Sequence, residues 1–143
     1  EKMGYKNDSR EVIEYQKEVE ETITSYKKMK EAGIKILVGG DYGLDIAPHG
    51  TYAKDLEYFV NYFGMSNAES LICATRNGGE AFMPNGNLGT LAKNSFADMV
   101  IIDGNPLDDI TVLQNHQKLT TVKDGIVYKD LNNANPYLLR PVG

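Results

Sequence analysis

The chain has 143 residues, 41% of them hydrophobic and 24% charged, with a formal net charge of −5 and a pI near 5.0. That length can bury one core but falls well short of the roughly 250 residues of a complete eight-fold α/β barrel, so this is one small domain or part of a larger one. The acidic balance, with no cluster of Lys and Arg, argues against a nucleic-acid partner. No apolar run approaches the about 20 residues that span a bilayer, so no membrane partner is expected. The lone Cys73 excludes an intrachain disulfide and any zinc site built on two cysteines, and it suits a reducing compartment, which points to the cytoplasm. Glu1-Lys2-Met3-Gly4 carries no signal-peptide pattern, and the missing initiator Met suits a processed or excised segment.

From Asp8 to Ala32, Val12, Tyr15, Val19, Ile23, Tyr26 and Met29 recur at three- and four-residue steps, which predicts an amphipathic helix. Asp8 with Glu11 offers a capping-box start, Gly33 a left-handed stop, and the acidic first half and lysine-rich second half suit the helix dipole. Ile34 to Val38, broken only by Lys35, then runs into Gly39, Gly40 and Asp41. This is how a buried parallel strand delivers a carboxylate to the mouth of a barrel. Leu44 to Gly50 reads as the following loop, Tyr52 to Phe63 as a helix closed by Gly64, and Ser66 with Glu69 as the capped start of another helix reaching about Ala81. Cys73 falls inside that helix as a small packed residue.

After Phe82 the pattern changes to short apolar pieces separated by Gly, Asn, Asp and Pro. Leu88–Leu91, Met99–Ile102, Leu119–Val122 and Ile126–Tyr128 are predicted strands, with Lys123-Asp124-Gly125 as a hairpin turn. The expected organisation is α/β over 1–83, strands over 84–131 and an irregular tail over 132–143.

Taken together, Ala32-Gly-Ile-Lys-Ile-Leu-Val-Gly-Gly-Asp41, Pro48-His49-Gly50, Gly64-Met-Ser-Asn-Ala-Glu-Ser-Leu-Ile-Cys-Ala-Thr75-Arg-Asn77, Leu88-Gly-Thr-Leu91, Ala97-Asp-Met-Val-Ile-Ile-Asp-Gly-Asn-Pro-Leu107 and Val122-Lys-Asp-Gly-Ile-Val127 resemble the amidohydrolase superfamily. The similarity is to the branch of imidazolonepropionase and the metal-dependent Xaa-Pro dipeptidases. It covers about two thirds of the chain and rests on the order and spacing of the pieces. The resemblance implies the C-terminal part of a TIM-like (β/α)8 barrel followed by strands of a small β-sandwich domain. One departure is Gly40, where this branch usually carries Thr; another is Lys93-Asn-Ser-Phe96 in place of a Pro-Gly-Lys type turn.

By the same resemblance, one or two divalent ions, zinc in type, polarise an amide carbonyl of a small substrate. Asp41 would touch the metal and shuttle a proton from water to the leaving nitrogen. An Asp that only accepts hydrogen bonds from its glycine turn is the competing reading. His49, in the loop after the strand, and Tyr42 would line the substrate pocket, with Tyr52 a further hydroxyl nearby. His116 reads as a surface residue, and Thr75 and Asn77 as caps or packing contacts. The family's metal centre also draws on a His-x-His pair and further histidines, whereas this chain has two histidines in all. A hydrolytic metal site takes three protein ligands and an open position. The expected chain is therefore the incomplete C-terminal portion of such an enzyme, inactive alone and packed against the remainder of that enzyme or a second copy. The alternative is a non-catalytic structural or interaction module with the same fold elements.

Overall fold

The computed structural model describes Lys6 and residues 8–129; the predicted tail, 132–143, lies outside the described residues. Helix α1 (Arg10–Glu31) is capped by Ser9, whose hydroxyl accepts from the Val12 N–H at 3.4 Å. The cap is thus one residue later than the predicted Asp8, because Ser9 takes the extended conformation that an N-cap requires. At the other end Gly33, at φ 73°, donates to Lys30 O and Ile34 donates to Met29 O, both at 3.0 Å, so the glycine closes a Schellman turn. Little of the apolar stripe is covered: Tyr26 is buried and Val12 and Ile23 half-buried, while Tyr15, Val19 and Met29 are exposed.

Residues 34–39, predicted as a barrel strand, join no sheet among the described residues. Strands exist through neighbours, and no other described segment pairs with this one. Its burial nevertheless alternates. Ile36 and Val38 pack on the cluster of Tyr26, Met65 and Cys73, while Ile34 and Leu37 face outward. The segment is pinned by side chains instead: Asn77 Nδ2 donates to Ile36 O at 3.0 Å and Lys35 pairs with Glu80.

Helix α2 (Lys54–Asn61) is shorter at both ends than predicted, and Gly64, at φ 67°, reverses the chain after it. Ser66 opens α3 (Asn67–Ile72) with the predicted capping box, its hydroxyl accepting from Glu69 N–H at 3.2 Å and its own N–H donating to Glu69 Oε2 at 2.8 Å. The helix passes through a π-helical turn, Cys73–Asn77, into α4 (Gly78–Phe82). Tyr26 stacks on Phe63 with centroids 4.1 Å apart and is 5% exposed, yet its hydroxyl has no hydrogen-bond partner among the described residues. Burial raises the pKa of that hydroxyl and of the Cys73 thiol.

Beyond residue 84, Leu88–Leu91 is not a strand. Its backbone lies directly against the helix, where a Cβ on Gly79 would collide with Leu88 O and one on Gly89 with Thr75 O. The other three predicted strands form an antiparallel sheet in the order β1 (Met99–Ile102), β2 (Leu119–Lys123), β3 (Ile126–Lys129). Met99 faces Val122 and Ile102 faces Leu119. Asp124 and Gly125, at φ 52° and 75°, make the left-handed pair of the predicted hairpin turn. The Asp98 carboxylate fastens that turn, accepting from Asp124 N–H at 2.9 Å and from Lys123 Nζ at 2.8 Å. Two bonds tie the sheet region to the helices: Asn67 Nδ2 to Leu107 O at 2.9 Å and Gln114 Nε2 to Glu57 Oε2 at 2.7 Å. An apolar cleft of about 770 Å³ lies between α3–α4 and the sheet, lined by Leu71, Phe82, Leu91, Met99 and Val122 among others.

Candidate functional site

Asp41 sits on the segment Gly39-Gly40-Asp41-Tyr42-Gly43, exposed, with its backbone in the left-handed region at φ 48°. Asp tolerates that region better than most residues, but tertiary contacts must still hold it there. The chain then doubles back: Gly43 N–H donates to Ala47 O and Ala47 N–H to Leu44 O, both at 2.9 Å. This brings the His49 ring over Gly43, with Nε2 3.1 Å from where a Cβ on that glycine would lie. His49 Nδ1 is 2.8 Å from the Tyr52 hydroxyl.

The Tyr42 hydroxyl donates to Asp55 Oδ1 at 2.6 Å, with the Thr51 and Tyr52 carbonyls farther off at 3.4 and 3.5 Å, while its ring meets Tyr52 edge-on at 4.7 Å and 82°. Burial, then the bond to the charged Asp55, pushes the Tyr42 hydroxyl well above the usual tyrosine range. The hydroxyl is thereby committed, and what Tyr42 offers its surroundings is a ring. Gly40 makes this possible, because a side chain there would overlap both Tyr42 and Asp55. The loss of the threonine hydroxyl noted in the sequence has a structural counterpart.

The predicted residues Asp41, Tyr42, His49 and Tyr52 therefore gather on one glycine-rich reversal. Asn77 holds the segment leading to it, as a packing contact. His116 is exposed, as expected, but lies beside the loop, with Cε1 3.8 Å from a Cβ position on Gly50. Sequence reasoning missed Asp55. Its only signal was a carboxylate in the first turn of a helix, which the dipole alone would explain.

Among the described residues, no three His, Cys, Asp or Glu side chains converge to hold a metal ion. Asp41 could supply one ligand, and one carboxylate does not make a hydrolytic metal site. No described helix is long and apolar enough to cross a membrane.

The sequence model of the amidohydrolase family matches residues 6–127. The chain belongs to the amidohydrolase family. Ochratoxinase of Aspergillus niger is 35% identical over 107 residues, covering 73% of this amidohydrolase chain and 22% of that enzyme. Its crystal structure superposes with a TM-score of 0.74 at 29% identity over 86% of this chain and 28% of that one. A putative prolidase from Bifidobacterium longum gives 0.68 at 30% identity over 73% of this chain and 25% of its own. A Xaa-Pro dipeptidase with methionine bound in its active site gives 0.66 at 30% identity over 76% and 25%. The chain thus spans about a quarter of the length of these relatives. The fold is TIM-barrel-related, its helices and small antiparallel sheet forming part of such a domain.

Proposed function

We propose that residues 1–143 are the C-terminal portion of a metal-dependent amidohydrolase that cleaves amide or cyclic-amide C–N bonds in small substrates. In this reading the segments up to residue 83 complete the barrel, and the strands after residue 84 belong to a small β-sandwich. The observation that carries it is the family match over 6–127, within which an exposed Asp41 stands on the reversal that follows the Ile34–Val38 segment. Asp41 would be this chain's ligand to a divalent ion of zinc type, which when bound would polarise the carbonyl. The remaining ligands come from outside these residues. The Asp41 carboxylate takes the proton of the attacking water and passes it to the leaving nitrogen. His49 and the Tyr42 ring border the substrate.

Ochratoxinase, prolidase and Xaa-Pro dipeptidase, as the names of relatives, point to amide-bearing small molecules as the substrate class. The exposed apolar side chains of Tyr15, Val19, Ile34, Leu37, Val100 and Ile101 support a covering partner, either the remainder of the same enzyme or a second copy. Asp41→Asn in the assembled enzyme tests the assignment. Turnover should fall about 10²–10⁴-fold with the fold retained, His49→Ala should mainly raise KM, and residues 1–143 alone should hydrolyse nothing. Near-normal turnover of Asp41→Asn would move Asp41 to a structural role.

A further inference from the structure

We propose that Asp55 is a positioning residue that fixes the Asp41 turn through Tyr42, in the space that Gly40 leaves empty. This rests on the catalytic assignment of Asp41 above. Three glycines surround Asp41 within five residues, Gly39, Gly40 and Gly43, and glycine-rich backbone has the most freedom to lose. Asp41 itself occupies a left-handed conformation that an L-residue does not favour by itself, at φ 48°. Left to local preference, such a segment would spread its carboxylate over many positions. A proton shuttle displaced by about 1 Å can lose about 100-fold in rate.

The neighbouring side chain supplies the restraint. Tyr42, next in sequence to Asp41, folds back over Gly40 and is held by its ring edge on Tyr52 and by its hydroxyl, whose shortest bond is to Asp55. The Asp55 oxygens lie 2.5 and 3.0 Å from a Cβ position on Gly40, so the acceptor reaches Tyr42 only because residue 40 has no side chain. A hydrogen bond to an ionised acceptor is roughly twice as strong as a neutral one. Asp55 stands in the first turn of α2, so the anchor belongs to a helix and not to the loop it holds. Tyr42 is thereby fixed directly beside Asp41, and the carboxylate inherits its orientation from that neighbour.

The test uses the assembled enzyme. Tyr42→Phe removes the hydroxyl with all its bonds, Asp55→Ala removes the charged acceptor and leaves only the longer contacts to Thr51 O and Tyr52 O at 3.4 and 3.5 Å, and Asp55→Asn keeps an oxygen acceptor. Tyr42→Phe and Asp55→Ala should each lower kcat by about 10–100-fold with KM within about twofold, and the double variant should be no worse than either single one. Asp55→Asn should stay within about threefold of the parent, and Tyr42→Phe should cost nothing further on an Asp41→Asn background. Crystal structures of the metal-free variants give a readout independent of turnover: Asp41 should leave its left-handed φ or occupy several positions, with the His49–Tyr52 contact intact. Should Tyr42→Phe fail to fold, Asp55→Ala interrogates the same bond from its other end. An unmoved Asp41, additive losses, or normal kcat in Tyr42→Phe while Asp41→Asn is inactive would overturn the positioning role alone. Turnover surviving Asp41→Asn would overturn the catalytic assignment, and this proposal with it.

Discussion

Gly78 and Gly79 are neighbours at the start of α4, and alanine at the two positions should change stability in opposite directions. Alanine in a helix interior is ordinarily favoured over glycine by about 1 kcal/mol, because glycine loses more backbone freedom on folding. At Gly78 the new Cβ would find its nearest atom, Cys73 O, at 3.9 Å, an ordinary contact, so Gly78→Ala should gain about 0.5–1 kcal/mol. At Gly79 the Cβ would fall on the Leu88 carbonyl and close to Gly89 N at 2.9 Å. These are backbone atoms, which cannot rotate aside as a side-chain tip can. Overpacking of this kind costs about 1–3 kcal/mol, so Gly79→Ala should be destabilising despite the helix gain. Urea denaturation of the 143-residue chain, followed by circular dichroism at the helix band, would read both variants against the parent. Equal or greater stability in Gly79→Ala would refute the close backbone approach between the helix and residues 88–89.

The Glu69 carboxyl is held at about 2, below its ordinary 4.5, first by Lys30 at 2.8 Å and then by the Ser66 N–H and hydroxyl. Its contribution is therefore whole above about pH 4.5 and is lost as pH falls toward 2. With Glu69 45% exposed, screening by water limits this to about 1 kcal/mol, and a parent pH–stability profile matching that of Glu69→Gln would refute the linkage. Tyr26→Phe deletes a buried hydroxyl that has no partner among the described residues, so it should be neutral or stabilising by up to about 1 kcal/mol, and a clear loss in the same denaturation assay would reveal a partner for that group.

What the sequence made legible was local. Helix α1 with its Gly33 stop, the Ser66–Glu69 capping box and the Asp124-Gly125 hairpin all follow from residues within a few positions of one another. The Ile34–Val38 segment has the composition of a central strand, but pairing is a property of neighbours, and the described residues contain none for it. Leu88–Leu91 reads as a strand by apolar content, yet a contact between two glycines ten residues apart decides its course. The site divides in the same way. Asp41, Tyr42 and His49 stand out on their glycine- and proline-marked loops, whereas the bond from Tyr42 to Asp55 spans 13 positions and has no sequence signature.

Helix α2 has a consequence for engineering. Asp55 on this helix grips the Asp41 reversal, and Glu57, two positions on, accepts from Gln114 in the segment between β1 and β2. Ser70 in α3 adds a buried anchor to Leu56 O at 3.0 Å. Three successive residues of one short helix thus bind three different parts of the chain. A chimera that grafts the sheet of one relative onto the helices of another must therefore carry the Gln114–Glu57 contact across the junction, or the mismatch will be felt on the same turn of helix that seats Tyr42.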